Sequence, residues 1–292
     1  MADHLIPSTA VARYTAAPSP TTVSAAKSLQ ENIRSVLGAD YETFLQGSYK
    51  NDTGIPDLND VDIVAIRKQT RSAVFTPGIG STNPISWERI FAEVQGRLEA
   101  SHHYRGKTEI GDKCIKVHTN FEADVVPAVQ IGDDYRTDPI AIYSFREGRE
   151  RKNFPRVHAA RNTQKHQVTN ETYKPTVRMF KRWVRNWFPD PNIAPSFYVE
   201  CLIHAVPNER FHSDMAWTFF TVGYWIESNI TTSSVVMSVA GDKDILVPGE
   251  WRPERYEVFR AQLARSTTHA LRALEATTVT DALNSWKRAF NE

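Results

Sequence analysis

The chain has 292 residues, 41% of them hydrophobic, with 35 basic and 34 acidic side chains for a formal net charge of +1. That length suffices for two packed subdomains with a real core. The balanced charge argues against a surface built to neutralise the phosphates of a long nucleic acid and leaves small nucleotide substrates as the better fit. No apolar run approaches the roughly 20 residues that span a bilayer, and the N-terminus lacks the basic-then-apolar order of a secretory leader, so a cytoplasmic location without a membrane partner is expected; a monomer is expected as well.

Residues 1–18 mix Pro, Ala, Ser and Thr with little periodicity and read as a loose arm, drawn as a flexible segment over residues 1–20. Residues 22–37 read as a helix with Thr21 or Thr22 as its cap and Gly38 as its stop. A strand-like run over 41–45 leads to Gly47-Ser48, where glycine lets the backbone turn. Backbone N–H groups and the Ser48 hydroxyl there suit a β/γ-phosphate, and an ordinary turn is the plain alternative.

Asp60-Val61-Asp62-Ile63-Val64-Ala65-Ile66 is an apolar strand carrying two acids. Side chains at i and i+2 share a face, so Asp60 and Asp62 project side by side while Val61 and Ile63 pack behind. Asp52 and Asp57, in the turn-rich stretch between the two motifs, read as solvated loop acids. Residues 68–84, rich in Thr, Ser, Gly and Pro, read as a loop, and 86–102 as an amphipathic helix with Trp87, Ile90, Phe91, Val94 and Leu98 on one stripe.

Strand patterns at 108–110, 114–118, 121–131 and 140–145 extend a mixed sheet, and the third of them carries Asp124 in Phe121-Glu122-Ala123-Asp124-Val125-Val126. Three carboxylates on neighbouring strands form an oxygen-rich pocket suited to two divalent cations roughly 3.5–4 Å apart, the arrangement used for in-line phosphoryl transfer. The cofactor expected is therefore two Mg²⁺ or Mn²⁺ ions. Cys114 and Cys201 are too few for a disulfide framework or a zinc module and read as buried small hydrophobes. The basic run 146–152 reads as a solvated face.

Residues 21–154 are assigned to a catalytic core and 155–292 to a helical lobe, with helices at 158–168, 172–188, 195–206, 215–229 and, in two pieces, 252–290. The two halves are expected to face each other across a nucleotide-binding cleft. Within the second helix, Lys174, Arg178 and Lys181 share a stripe beside Val177, Phe180 and Val184, so a lysine here can grip a triphosphate; exposed helix lysines are the alternative.

With these residues in place the chain resembles the bacterial CD-NTase family, the cyclic GMP-AMP synthase-like (DncV-like) nucleotidyltransferases of anti-phage signalling. The resemblance rests on Gln46-Gly47-Ser48-Tyr49-Lys50-Asn51-Asp52-Thr53 leading to Asp60-Val61-Asp62, on Asp124, on Tyr173-Lys174 with Val177 to Arg182, and on Pro195-Ser196-Phe197 through Glu200-Cys201-Leu202 to Val206-Pro207. The Gly-Ser and Asp-x-Asp parts alone indicate only the wider polymerase-β-like superfamily. The resemblance implies an α+β fold, a polymerase-β-like core with a C-terminal helical lobe. It also implies an enzyme that joins nucleoside triphosphates into a ring, releasing pyrophosphate at each step, for a separate effector that responds to the product.

Carried over by position, Asp60, Asp62 and Asp124 are the implied metal ligands and catalytic residues, Gly47 and Ser48 phosphate contacts, and Lys181 and Ser196 triphosphate contacts of the helical lobe. Ser196 follows Pro195 at a helix start, where an anion site and a simple N-cap are equally good physical readings. Asn162 stands about where related enzymes carry an asparagine associated with uracil use, which makes it the candidate base reader and a uridine-containing product the expectation; Gln164 and Asn170 are the other amides that could serve. A transferase acting on a non-nucleotide acceptor or an RNA end, and a catalytically silent nucleotide sensor, are the competing functions.

Overall fold

The apolar run that begins at Asp60 forms β2 (Asp60–Arg71), and its alternation divides the core on either side of the sheet. Val61, Ile63 and Ala65 are buried among Ala26, Ile33 and Leu37 of α2 (Pro20–Leu37) and the Trp87, Ile90, Phe91, Val94 and Leu98 stripe of α4 (Trp87–Ala100). Val64 and Ile66 face the other way, against Ala128 and Ile140. This computed structural model describes residues 3–56, 60–76 and 85–292, in two compact units: Pro18–Ala159, and Ala160–Glu292 with the N-terminal segment through Ala17. Asp57 and the 77–84 part of the expected loop lie outside the described residues.

In the first unit the sheet order is β1 (Tyr41–Gln46), β2, β5 (Glu122–Gln130), β4 (Ile115–Val117) and β3 (Thr108–Ile110), with β6 (Ile140–Ser144) also on β5 and β7 (Arg149–Asn153) on β6. β2 and β5 run parallel and the other pairs antiparallel, the mixed sheet expected from the pattern. α3 (Gly47–Asn51) is a single short turn after β1.

Two local expectations are corrected, and one strand lies in a run read only as a solvated charged face. Ser19, not Thr21 or Thr22, caps α2: its hydroxyl accepts from the Thr22 N–H, and Pro20 fills the first helical position. β2 continues through residues 68–71, where a loop was expected, because a register shift after Arg67, with Gln69 at φ 58°, realigns Arg71 with Gln130. The 146–152 run contains β7, whose charges conceal it: Arg149 and Arg151 both donate to Glu147, and Glu150 accepts from the Trp87 indole at 2.9 Å.

The second unit is helical: α5 (Pro155–Val168), inside which the unit boundary falls, α6 (Tyr173–Trp187), α7 (Ser196–Ala205), α8 (Met215–Asn229), α9 (Pro253–Leu274) and α10 (Val279–Ala289). α6 is its axis, with Tyr173, Val177, Phe180 and Trp183 fully buried. Gly223 of α8 lets α9 close in, since a β-carbon there would lie 2.7 Å from the Thr267 methyl. The expected loose arm instead forms α1 (Ser8–Thr15), because Ile6, Val11 and Tyr14 supply an apolar stripe that the helical core buries. Tyr14 stacks on Phe290 with ring centroids 3.8 Å apart. Among the described residues no helix is long and apolar enough to cross a membrane.

Candidate active site

Parallel pairing of β2 with β5 sets Asp60 beside Glu122 and Asp62 beside Asp124 as Cα partners. Residues directly opposite on paired strands share a face, so all four acids project from one side of the sheet. Neighbouring strands lie about 4.8 Å apart and i to i+2 positions about 6.6 Å apart, which places the carboxylates as a close cluster. Asp60 is exposed and Asp62 and Asp124 are half-buried, at the end of a strand whose next same-face residue, Val64, is in the core.

The Gly-Ser motif closes on this cluster. Gly47 opens α3 at φ 63°, a left-handed conformation, and a β-carbon there would overlap Oδ2 of Asp62 and come within 3.3 Å of its Cγ. Both constraints demand glycine. Ser48 follows in the first turn of α3, where backbone N–H groups have no intrahelical acceptor, and its carbonyl accepts from the Thr53 N–H at 2.9 Å. Asp52 is exposed at the end of α3 in the left-handed region that aspartate tolerates, as a loop acid should be.

Four neighbours of the acids had no role at the site assigned to them from the sequence. Cys114, buried as expected, lies beside Asp124, and burial followed by the Asp124 charge pushes its thiol up to about 12. Tyr49 is raised by burial and by the charge of Asp60. Glu122 lies 3.5 Å from His118 Nδ1, and Lys116 stands opposite Asp124 on β4. Glu122-Ala123-Asp124 repeats the acid-x-acid spacing of β2, and that repeat was the available signal for Glu122.

Among the described residues no three His, Cys, Asp or Glu side chains form a ready-made metal cage. By donor chemistry Asp60, Asp62 and Asp124 nonetheless fit a hard divalent cation, which takes carboxylate oxygens, and like charges set side by side favour a bound cation between them.

In the helical unit the three remaining candidates have distinct surroundings. Ser196 is exposed as the first residue of α7; the N-cap is Pro195 and no side chain caps the turn. Lys181 is not an exposed helix lysine: it is buried, with Nζ 2.9 Å from Oε2 of Glu200. Asn162 is fully buried, its Nδ2 donating to Glu200 Oε1 at 2.7 Å and its Oδ1 accepting from the Tyr173 hydroxyl at 2.7 Å. Gln164 and Asn170 are exposed. Of the cationic stripe, Arg178 is also buried and donates to the Thr15 carbonyl at 2.7 Å. Thus β1, α3, β2 and β5 bring Gly47, Ser48, Asp60, Asp62 and Asp124 together in one unit, while Asn162 and Lys181 share a buried network in the other, where Ser196 is exposed.

Comparison with known proteins places these features in context. Residues 160–268 match the family described as the cGAS/DncV-like nucleotidyltransferase C-terminal helical domain. The cyclic UMP-AMP synthase of Rhodothermus marinus is 29% identical over 285 residues, covering 87% of this chain and 95% of that protein. Its structure with Apcpp and Upnpp superposes with a TM-score of 0.74 at 27% identity, covering 90% of this chain and 97% of the other. The cyclic dipurine nucleotide synthase of Elizabethkingia meningoseptica is 28% identical over 203 residues, covering 62% of this chain and 68% of that protein.

Proposed function

The chain belongs to the bacterial CD-NTase family, and from that premise we propose that it condenses nucleoside triphosphates into a cyclic dinucleotide, releasing pyrophosphate at each bond formed. The observation that carries this reading is the register of β2 on β5, which sets Asp62 beside Asp124 with Asp60 on the same face, in a chain matched along nearly its whole length by a cyclic nucleotide synthase.

On this reading Asp60, Asp62 and Asp124 would hold two Mg²⁺ or Mn²⁺ ions, which when bound would supply charge neutralisation at the triphosphate and activation of the attacking hydroxyl. Gly47 keeps the strand-to-helix turn clear of Asp62, and Ser48 with the backbone N–H groups beside it contacts the β- and γ-phosphates. Lys181 and Ser196 contribute further contacts to a triphosphate, and Asn162 selects a base. We take one base to be uracil, a choice supported by the position of Asn162 and by the Rhodothermus relative. The family also includes a purine-specific relative, so base choice rests on side chains and not on the fold. The product acts as an anti-phage messenger for a separate effector, made by a cytoplasmic monomer.

Pyrophosphate counting separates this reading from an acceptor-modifying transferase. A cyclic dinucleotide synthase supplied with triphosphates and Mg²⁺ alone releases two pyrophosphates per cyclic product. Release that starts only after a non-nucleotide acceptor or an RNA end is added supports the alternative.

A further inference from the structure

One row of side chains crosses the catalytic sheet from β1 to β3. Strand register pairs Gln46 with Asp62, Asp62 with Asp124, Asp124 with Lys116 and Lys116 with Glu109, so all five project from the same face. The next row sets Asp60 beside Glu122. Asp60, Asp62, Asp124 and Glu122 therefore crowd four negative charges together, and the cation in register with them is Lys116. Its side chain runs past Gly111: a β-carbon on that glycine would lie 3.8 Å from Cε of Lys116 and 3.4 Å from Sγ of Cys114, so the lysine stem and the thiol are neighbours. The thiol responds to the same charges. Burial raises it most, the charges of Asp124 and Asp62 raise it further, and the charge of Lys116 lowers it.

We propose that Lys116 is a built-in counter-ion of the metal site, holding down the affinity of Asp60, Asp62 and Asp124 for a divalent cation. The proposal rests on the metal assignment above. An ion entering beside Asp124 meets the attraction of the acids and the repulsion of the ammonium together. Coulomb's law sets the size of the second effect: a double and a single positive charge about 6 Å apart in a solvent-exposed setting weaken binding roughly tenfold at low ionic strength. Salt screens this interaction, because the Debye length is about 10 Å at 0.1 M; the effect falls to about threefold there and to about twofold or less near 0.5 M. Mg²⁺ is commonly held through one or two carboxylates together with substrate phosphates. A weak affinity of the protein by itself therefore makes retention of the metal depend on the nucleotide, whose phosphates offset the lysine charge.

The test is equilibrium binding of Mn²⁺ to the full chain without nucleotide, read from the electron paramagnetic resonance signal of the free ion, in wild type, Lys116→Arg, Lys116→Gln and Lys116→Glu. Position 116 is exposed, so all four proteins are expected to fold. Lys116→Arg keeps the wild-type affinity. Lys116→Gln is expected to bind roughly tenfold more tightly at low salt and Lys116→Glu more tightly again, with the differences closing as salt rises. Lys27→Gln, which removes one charge from an exposed position on α2, is the control and leaves Mn²⁺ affinity unchanged. Equal affinity across the Lys116 variants, an effect matched by Lys27→Gln, or differences undiminished at about 0.5 M salt would each overturn the proposal. The double variant Asp60→Asn with Asp62→Asn keeps the two claims apart. If it binds Mn²⁺ as wild type does, the metal assignment fails and takes the proposal with it. If it loses Mn²⁺ while the Lys116 series is flat, the assignment stands and the proposal alone fails.

Discussion

Gly47 has no room for a side chain because Asp62 occupies the space a β-carbon would take, its Cγ 3.3 Å from that position. The two motifs are thus one piece of local structure: the turn after β1 exists in the form that leaves the β2 carboxylate clear.

Gly47→Ala is expected to abolish turnover beyond detection, by displacing Asp62, while strain at φ 63° costs about 1–2 kcal/mol of stability. Urea unfolding and pyrophosphate release measure the two effects separately, and a fully active alanine variant would contradict the close approach.

Asp60→Asn combined with Asp62→Asn is expected to eliminate product while leaving the thermal melt unchanged or slightly raised, because removing adjacent like charges relieves repulsion in the metal-free protein. Measurable turnover by this double variant would remove both acids from the metal site.

Asn162→Ser is expected to shift base preference toward purines and, by stripping partners from Glu200 and Tyr173, to lower stability by about 1–3 kcal/mol. Product analysis with one triphosphate omitted at a time reads the first effect; an unchanged spectrum dissociates Asn162 from base choice.

Burial pushes the thiols of both Cys114 and Cys201 up to about 12, above their ordinary value of 9.0. A raised folded value means the neutral thiol is favoured in the native state, so this contribution is complete below pH 9 and is lost as pH climbs toward 12. The expected results are slow iodoacetamide labelling of the folded protein at pH 8.5 and a melting temperature that declines from pH 9 upward. Rapid labelling of both thiols in the folded state would refute the burial.

Tyr14→Ala is expected to destabilise the helical unit by about 3–5 kcal/mol, the usual cost of truncating a buried aromatic, because Tyr14 stacks on Phe290 and meets Trp286 edge-on. Chemical denaturation decides it; a neutral substitution would return α1 to the status of a loose arm.

The parts of the fold readable from the chain were those set by short-range periodicity. Asp60 and Asp62 follow from the two-residue period of a strand, and the Trp87 to Leu98 stripe follows from helical spacing. Where local composition opposed the outcome, the pattern misled: α1 is rich in small and polar residues and gains its order from a distant aromatic cluster, and β7 consists largely of charges, two of them satisfied by Glu147 in the adjoining turn. The Tyr173, Asn162, Glu200 and Lys181 network could not be found at all, since its bonds join three helices and no spacing within one segment announces a buried partner on another. Lys181 was placed by its helix position, but its burial against Glu200 needed the structure.

The most direct test is mass spectrometry of the phosphatase-resistant material formed when the purified protein is incubated with all four ribonucleoside triphosphates and Mg²⁺ or Mn²⁺. A cyclic dinucleotide that contains uridine and disappears when UTP is withheld is the predicted result. Exclusively linear products, or triphosphates left intact under both metals, would contradict the assignment of the Asp60, Asp62 and Asp124 cluster to cyclic dinucleotide synthesis.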